Sequence, residues 1–323
     1  YTITPPTLNE KTQFNLFTGF LHEYDPNFIV SMEFVQPWLD HIKSVWANHD
    51  EIISEYIINW FANKVQKPHL KNCTTIIIKS LLEGAGKNIV TDHIAANVIG
   101  NQFCRETSDL DRVLSKFNAD AEYTVICVLD EIGTKGAAWA QNDKLKAVIT
   151  RQRQPIEPKG KDARMAPDYN DYVLFTNNNY IAKVSESDRR HMASEGSNEF
   201  VGNHNYFKGL LSLSNQASGK HLFHYFCKRD ITDFNPQVLP VSDWKRELKE
   251  KVYTPIVRAL INYGNRHVGD DYTTIWVNDL FEEYEAIDHY GAKYDRANFS
   301  KQIIKVLNMP TTRIRKGEIQ RSA

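Results

Sequence analysis

Three short apolar runs punctuate the middle of this chain, and each closes on polar residues. They are Ile76-Ile77-Ile78 before Lys79-Ser80, Tyr123 to Leu129 before Asp130-Glu131, and Tyr172-Val173-Leu174-Phe175 before Thr176-Asn177. Runs of this length, apolar on both faces, suit parallel strands buried between helices. Between them the pattern turns helical. Lys87 to Ile99 reads as a helix with Gly100 at its stop, and a second helix is expected after the Gly133 to Gly136 loop, through Lys146. Strands alternating with helices predict an α/β core.

On either side of that core the pattern is helical. After Pro5-Pro6, Trp38, Ile42 and Trp46 recur at i, i+4 and i+8, and Ile52, Tyr56, Ile57 and Trp60 continue an apolar face. The Lys67-Pro68 break closes this region. Residues 201–250 read as helix and loop. Farther on, Ile275 to Ile287 predicts a helix, and Asp295 is placed to cap another that carries Phe299, Ile303, Val306 and Leu307 on one face. Thr312 to Arg315 and Glu318 to Arg321 then alternate around Lys316-Gly317, as a short hairpin would. Two helices and a two-stranded wing are the outline of a winged helix-turn-helix. The expected division is therefore an N-terminal helical subdomain over 1–70, a nucleotide core over 71–200, a helical connector over 201–250 and a winged-helix-like domain over 251–323.

The polar ends of the apolar runs carry the candidate chemistry. Glu83-Gly84-Ala85-Gly86-Lys87-Asn88 joins the first strand to a helix, the build of a loop whose backbone N–H groups cradle phosphates while its lysine reaches the outer ones. Two positions depart from the usual G-x-x-x-x-G-K-[ST] pattern: Leu81 stands in place of the first glycine, and Asn88 in place of the magnesium-binding hydroxyl. At the second strand tip, Asp130 is placed to hold Mg2+ through water, and Glu131 to orient and deprotonate the attacking water. At the third, Asn177 is placed to position that water or sense the outer phosphate. The three tips in this order point to ATP hydrolysis.

Two basic stretches add a second theme. Lys144 to Arg164 carries Lys144, Lys146, Arg151, Arg153, Lys159, Lys161 and Arg164 against Glu157 and Asp162, with Pro155, Pro158 and Gly160 marking turns, so a protruding hairpin or loop that contacts phosphate backbone is expected. The predicted wing supplies Arg313, Arg315 and Lys316. These patches stand out because the whole chain is nearly neutral: 323 residues, 41% apolar, with a formal net charge of −1. Such a balance excludes a protein that binds nucleic acid by bulk charge. Cys73, Cys104, Cys127 and Cys227 show neither C-x-x-C pairing nor zinc spacing, which suggests a reducing interior without a structural metal. No run is long enough to span a membrane. Because it starts at Tyr1 without methionine, the chain reads as a piece of something longer.

At these motifs the chain resembles the superfamily III helicases of viruses and phages, in particular the primase-helicase branch that includes the poxvirus primase-helicase and the deep-sea vent phage primase-polymerase. The resemblance rests on Gly84 to Asn88, Leu129-Asp130-Glu131, Lys146 to Thr150 leading to Glu157-Pro158-Lys159-Gly160, Phe175-Thr176-Asn177 and Ser187-Asp188-Arg189-Arg190. Phe14 to Phe17 and Leu222 to Pro240 extend it over most of the chain. It implies an AAA+-like P-loop NTPase core that uses ATP and Mg2+, assembles as a homo-oligomeric ring, usually a hexamer, and moves along single-stranded DNA. It further implies a primase or primase-polymerase domain upstream, and a place in the cytoplasm of an infected host.

By the same resemblance Asn88 shares Mg2+ with Asp130, and Lys159 and Lys161 sit on a hairpin that grips DNA in the ring channel. Arg189 or Arg190 is then the finger inserted beside a neighbour's γ-phosphate, or else an ordinary ion-pair partner of Asp188 or Glu186. The alternative to a helicase is a nucleotide-switched DNA-binding module or scaffold ring that anchors a primase or polymerase without unwinding.

Overall fold

The computed structural model describes residues 17–80, 82–114, 118–130, 142–177, 188–250, 255–266, 276–287 and 294–307. The chain divides into two compact units, Tyr1–Leu248 and Lys249–Ala323. The first is built on a five-stranded parallel sheet. Its strands are β1 (Thr75–Lys79), β2 (Cys104–Thr107), β3 (Ile126–Leu129), β6 (Asp171–Thr176) and β7 (His191–Glu195), in the order β2-β3-β6-β1-β7. The three apolar runs are thus β1, β3 and β6, side by side. A separate antiparallel hairpin pairs β4 (Arg153–Ile156) with β5 (Arg164–Pro167).

Alternation along each strand sorts the core into two layers. On one face Ile76 and Ile78 of β1, Val173 and Phe175 of β6 and Val128 of β3 join a large cluster. That cluster also takes in α1 (Met32–His41), α2 (Glu51–Gln66), the helix starting as α3 (Ile89–His93) and α7 (Gln216–Lys228). The other face turns Ile77, Tyr172, Leu174, Cys127 and Leu129 toward α4 (Leu110–Leu114), α5 (Asn142–Thr150) and α8 (Asp243–Glu250). The helices of the expected N-terminal subdomain and connector pack into these same two apolar layers.

Two helices relax into π-helical turns: α1 continues through Ile42–Trp46, and α3 through Ile94–Ile99. Gly100, at φ +103°, stops the second as its position predicts. Asp50 caps α2 by accepting from the Ile53 N–H at 3.0 Å, and Asn203 caps α6 (His204–Ser212) by accepting from that of Tyr206. The apolar face of α2 needs one correction. Ile52 is 73% exposed while Ile53 is 3% exposed, so the buried stripe runs Ile53, Tyr56, Ile57, Trp60 and Phe61. A choice between adjacent isoleucines depends on the direction in which the cap launches the helix.

The second unit holds three described helices: α9 (Pro255–Arg266), α10 (Val277–Ile287) and α11 (Arg296–Leu307). They close over Ile256, Ala259, Tyr263, Leu280, Tyr284, Phe299 and Ile303. Asp295 caps α11 as expected, accepting from the Asn298 N–H at 2.8 Å. Val306, expected on the buried face, is 45% exposed. The predicted wing, with Arg313, Arg315 and Lys316, lies outside the described residues. Among the described residues no helix is long and apolar enough to cross a membrane.

At the N-terminal edge of the sheet sits a buried ionic network that the sequence did not announce. Lys64 of α2 meets Asp171 at 2.8 Å, with both side chains fully enclosed, and also donates to the carbonyls of Leu70 and Tyr169. Asp171 accepts from the Asn72 N–H through both oxygens. Next to it, Asp168 holds Lys71 at 3.0 Å and Arg151 at 2.7 Å. Removing one member strands its partner's charge in the interior. Asp171→Ala should therefore cost about 3–5 kcal/mol, read from urea unfolding.

A second buried site involves Asp188, which contacts the His191 ring at 2.8 Å and Lys245 at 3.5 Å. Burial opposes ionisation of its carboxyl, but His191 and Lys245 outweigh that and hold it down at about 2. Because the folded value lies below the unfolded value of about 3.9, the contribution is complete above that pH and is lost as pH falls toward 2. In urea unfolding at successive pH values, wild-type stability should drop through this window more steeply than that of Asp188→Asn.

Candidate functional site

The chain leaves the C-terminal end of β1 through Ser80 and enters the helix at Ile89, with Leu81 outside the described residues. Gly84 and Gly86 take φ of +75° and +82°, the left-handed region that side chains with a Cβ resist. At Gly86 space forbids a side chain as well. A Cβ there would lie 2.5 Å from a Phe207 ring carbon and 3.0 Å from one of His41. The loop borders a cavity of about 280 Å³, lined by Glu83, Gly84, Ala85, Gly86, Lys87, Asn88 and Ile89 together with Asp130 and Asn177.

Strand order explains why Asp130 and Asn177 reach the loop. β6 lies directly beside β1 and β3 beside β6, all parallel, so their C-terminal tips share one edge. Ligand sites of open α/β sheets lie at that edge. Lys87 Nζ donates to Asn177 Oδ1 at 2.5 Å, and Asn88 Nδ2 donates to Asp130 Oδ2 at 2.7 Å. Asp130 Oδ1 is buried and makes no hydrogen bond. Two more acids feel its charge. Asp92 is raised above the ordinary carboxylate range by burial and then by Asp130, and Glu106 by burial, Asp92 and Asp130. The pocket thus combines a lysine, a field of carboxylates and an orphaned carboxylate oxygen. Among the described residues no cluster of three or more His, Cys, Asp or Glu side chains could hold a metal ion on its own.

Three residues at the site were missed in the sequence. His41, fully buried at the end of α1, places Nε2 at 2.9 Å from the Gly86 carbonyl and Nδ1 at 2.8 Å from the Tyr206 hydroxyl. Trp46, in the π-helical turn, donates its indole N–H to the Lys87 carbonyl at 3.0 Å. Trp46 was visible only as one member of an apolar stripe. The signal that could have marked it is that a buried indole N–H requires a partner. Burial lowers His41 to about 4, with the Gly86 hydrogen bond opposing the shift, so the ring is neutral at neutral pH.

The other anticipated residues scatter. Glu131 lies outside the described residues. Lys144 and Lys146 belong to α5, so the basic segment begins as a helix, and the hairpin from Arg153 to Pro167 is tied to residues 118–121 through Gln154 and the Pro155 carbonyl rather than standing free. Arg151 is tied to Asp168 and to Gln154 at 2.8 Å, whereas Arg153, Lys159 and Lys161 are exposed on the β4–β5 hairpin and its turn. That hairpin returns to the sheet at the start of β6, the edge opposite the cradle, one strand length of about 20 Å away. Arg189 is exposed. Arg190 is half-buried, with Nε enclosed and unpartnered, and its carbonyl accepts from the Thr75 N–H at 2.7 Å. Of the two ion partners considered for these arginines, Asp188 is occupied by His191 and Lys245, and Glu186 lies outside the described residues.

A family of unknown function (DUF5906) matches residues 78–190, the stretch that runs from the end of β1 through the cradle, β3, the hairpin and β6 to Arg190. No curated protein matches the chain in sequence. Among solved structures, the chain is similar to three apo structures of the C-terminal region of NrS-1. One has a TM-score of 0.67 at 18% identity, covering 98% of this chain and 81% of that one. The others have TM-scores of 0.65 and 0.63 at 17% and 18% identity, covering 88% and 84% of this chain. The chain spans 71% and 66% of the length of those two. At such identity the likeness establishes a shared fold: a mixed α/β unit around a parallel five-stranded sheet.

Proposed function

We propose that this chain is an ATP-hydrolysing module of a phage or viral replication protein, of the superfamily III helicase type, that moves single-stranded DNA through a homo-oligomeric ring. The observation that carries this reading is the convergence of Lys87, Asn88, Asp130 and Asn177 on one cavity at the C-terminal edge of a parallel sheet. Its supports are the motif resemblance to the primase-helicase branch and the fold likeness to the NrS-1 C-terminal region.

Each residue then has a physical task. Lys87, held against Asn177 in this structure, turns its ammonium to the outer phosphates of ATP, and Asn177 is released to position the attacking water. The orphaned Asp130 Oδ1 and the side-chain oxygen of Asn88 are hard donors that fit Mg2+, which takes only one or two protein carboxylates beside phosphate and water. When bound, Mg2+ offsets the charge that builds on the transferred phosphoryl oxygens. Glu131, next in sequence to Asp130, accepts the proton of that water. Exposed Arg189, from a neighbouring subunit, supplies the finger. Arg153, Lys159 and Lys161 grip the DNA backbone on the opposite edge from the nucleotide. The three helices of the second unit form the core of a winged helix whose wing carries Arg313, Arg315 and Lys316.

The test is ATP turnover by the purified chain, with and without single-stranded DNA, over a concentration series that spans ring assembly. Turnover should rise with both, and flat turnover with DNA binding intact would replace the helicase reading with a switch or scaffold. Lys87→Ala should lower turnover by at least about a hundredfold, and Glu131→Gln should bind ATP with a similar loss of hydrolysis.

On the DNA side, Lys159→Ala should weaken single-strand binding and make its salt dependence shallower by about 0.7 in log–log slope, with ATP affinity unchanged. Equal loss of ATP and DNA binding in that variant would remove the hairpin from the DNA path.

A further inference from the structure

The two hydrogen bonds that α1 and its π-helical turn send to the loop fall on consecutive peptide units. His41 Nε2 meets the carbonyl of Gly86, and the Trp46 indole meets that of Lys87. In a planar trans peptide the C=O and the following N–H point in opposite directions. A captured Gly86 carbonyl therefore turns the Lys87 N–H away from His41, and a captured Lys87 carbonyl turns the Asn88 N–H away from Trp46. Both Lys87 and Asn88 line the cavity, whereas His41 and Trp46 do not.

The polarity of this arrangement is determined. A carbonyl only accepts, so His41 Nε2 carries the proton and Nδ1 is bare. The Tyr206 hydroxyl must then donate to Nδ1, at 2.8 Å. Tyr206 is itself held: its ring stacks on Phe200 at 3.6 Å between centroids and 3° between planes, and burial raises its hydroxyl to about 12, so it keeps its proton. The imidazole is thus anchored at both nitrogens.

We propose that His41, oriented by Tyr206, is a positioning residue for the phosphate loop: with Trp46 it aims the Lys87 and Asn88 backbone N–H groups at the phosphates of a bound nucleotide. This rests on the nucleotide reading above. Two consecutive amides aimed in advance bind an anion without first paying to order the loop.

The experiment is ATP titration of the full chain by calorimetry, with a thermal melt for each variant. His41→Leu cannot donate to Gly86 and should bind ATP at least about tenfold more weakly. His41→Gln, whose amide reaches about as far as Nε2, should stay within about threefold of wild type. Tyr206→Phe, which removes a half-buried hydroxyl only, should fall between them. In turnover, KM should rise while kcat is kept. A merely structural role would shift the melting temperature and leave the dissociation constant of the folded variants at the wild-type value, and that result overturns the proposal. Should His41→Leu fail to fold, Tyr206→Phe decides: wild-type affinity overturns the proposal, and weakened affinity supports it. A wild-type chain that binds no ATP overturns the nucleotide reading and this inference together. Wild-type binding with unaffected variants overturns this inference alone.

Discussion

The structure depends on the enclosure of β1. All five of its residues are buried, β6 hydrogen-bonds one side and β7 the other, and its isoleucines face alternately into the two apolar layers. A strand fixed on four sides leaves the chain one way out, at its C-terminal tip, and there the glycine-bearing loop turns back into a helix. The same parallel register brings the ends of β6 and β3 to that edge. Asn177 and Asp130 come from distant parts of the chain, and they meet Lys87 and Asn88 because their strands end side by side.

The loop carries two left-handed glycines, and two of its carbonyls are held from outside, by the N-terminal helical segment. The π-helical turn at Ile42–Trp46 brings an indole to the Lys87 carbonyl, and the last residue of α1 brings an imidazole to that of Gly86. Phe207 and His41 together leave no room for a Cβ on Gly86. Trp46 thus packs as ordinary core on one side and meets the loop on the other, in the apolar cluster that α2 and α7 share with one face of the sheet.

The two edges of the sheet have divided tasks. At the C-terminal edge polar groups face a cavity, and one carboxylate oxygen lacks a partner. At the N-terminal edge Lys64, Lys71, Asp168 and Asp171 are satisfied by one another and by backbone groups, which ties α2, β6 and the end of α5 together. The basic hairpin rises from this satisfied edge. Its exposed cations, Arg153, Lys159 and Lys161, therefore stand above a base of buried ion pairs, and Arg151 is taken into that base as a partner of Asp168.

The sequence by itself determined the local features, because their causes are local. Apolar runs closed by polar residues mark β1, β3 and β6, a glycine beyond a helical pattern marks its stop, and Asp295 marks the start of α11. The loop glycines and Lys87 were legible for the same reason, as was the β4–β5 turn from Pro158 and Gly160, whereas Pro155, expected at a turn, lies inside β4 opposite Met165. Tertiary structure alone decided which side chains meet across long separations. It selected Ile53 over Ile52 for burial, paired Lys64 with Asp171 and Asp188 with His191 and Lys245, and set His41 and Trp46 against the cradle. Periodicity shows that a side chain faces inward, but the partner of a buried polar atom is set by which elements pack together. A charged residue reads the same in sequence whether it will face DNA, as Lys159 is proposed to, or lie in a buried ion pair, as Lys64 does.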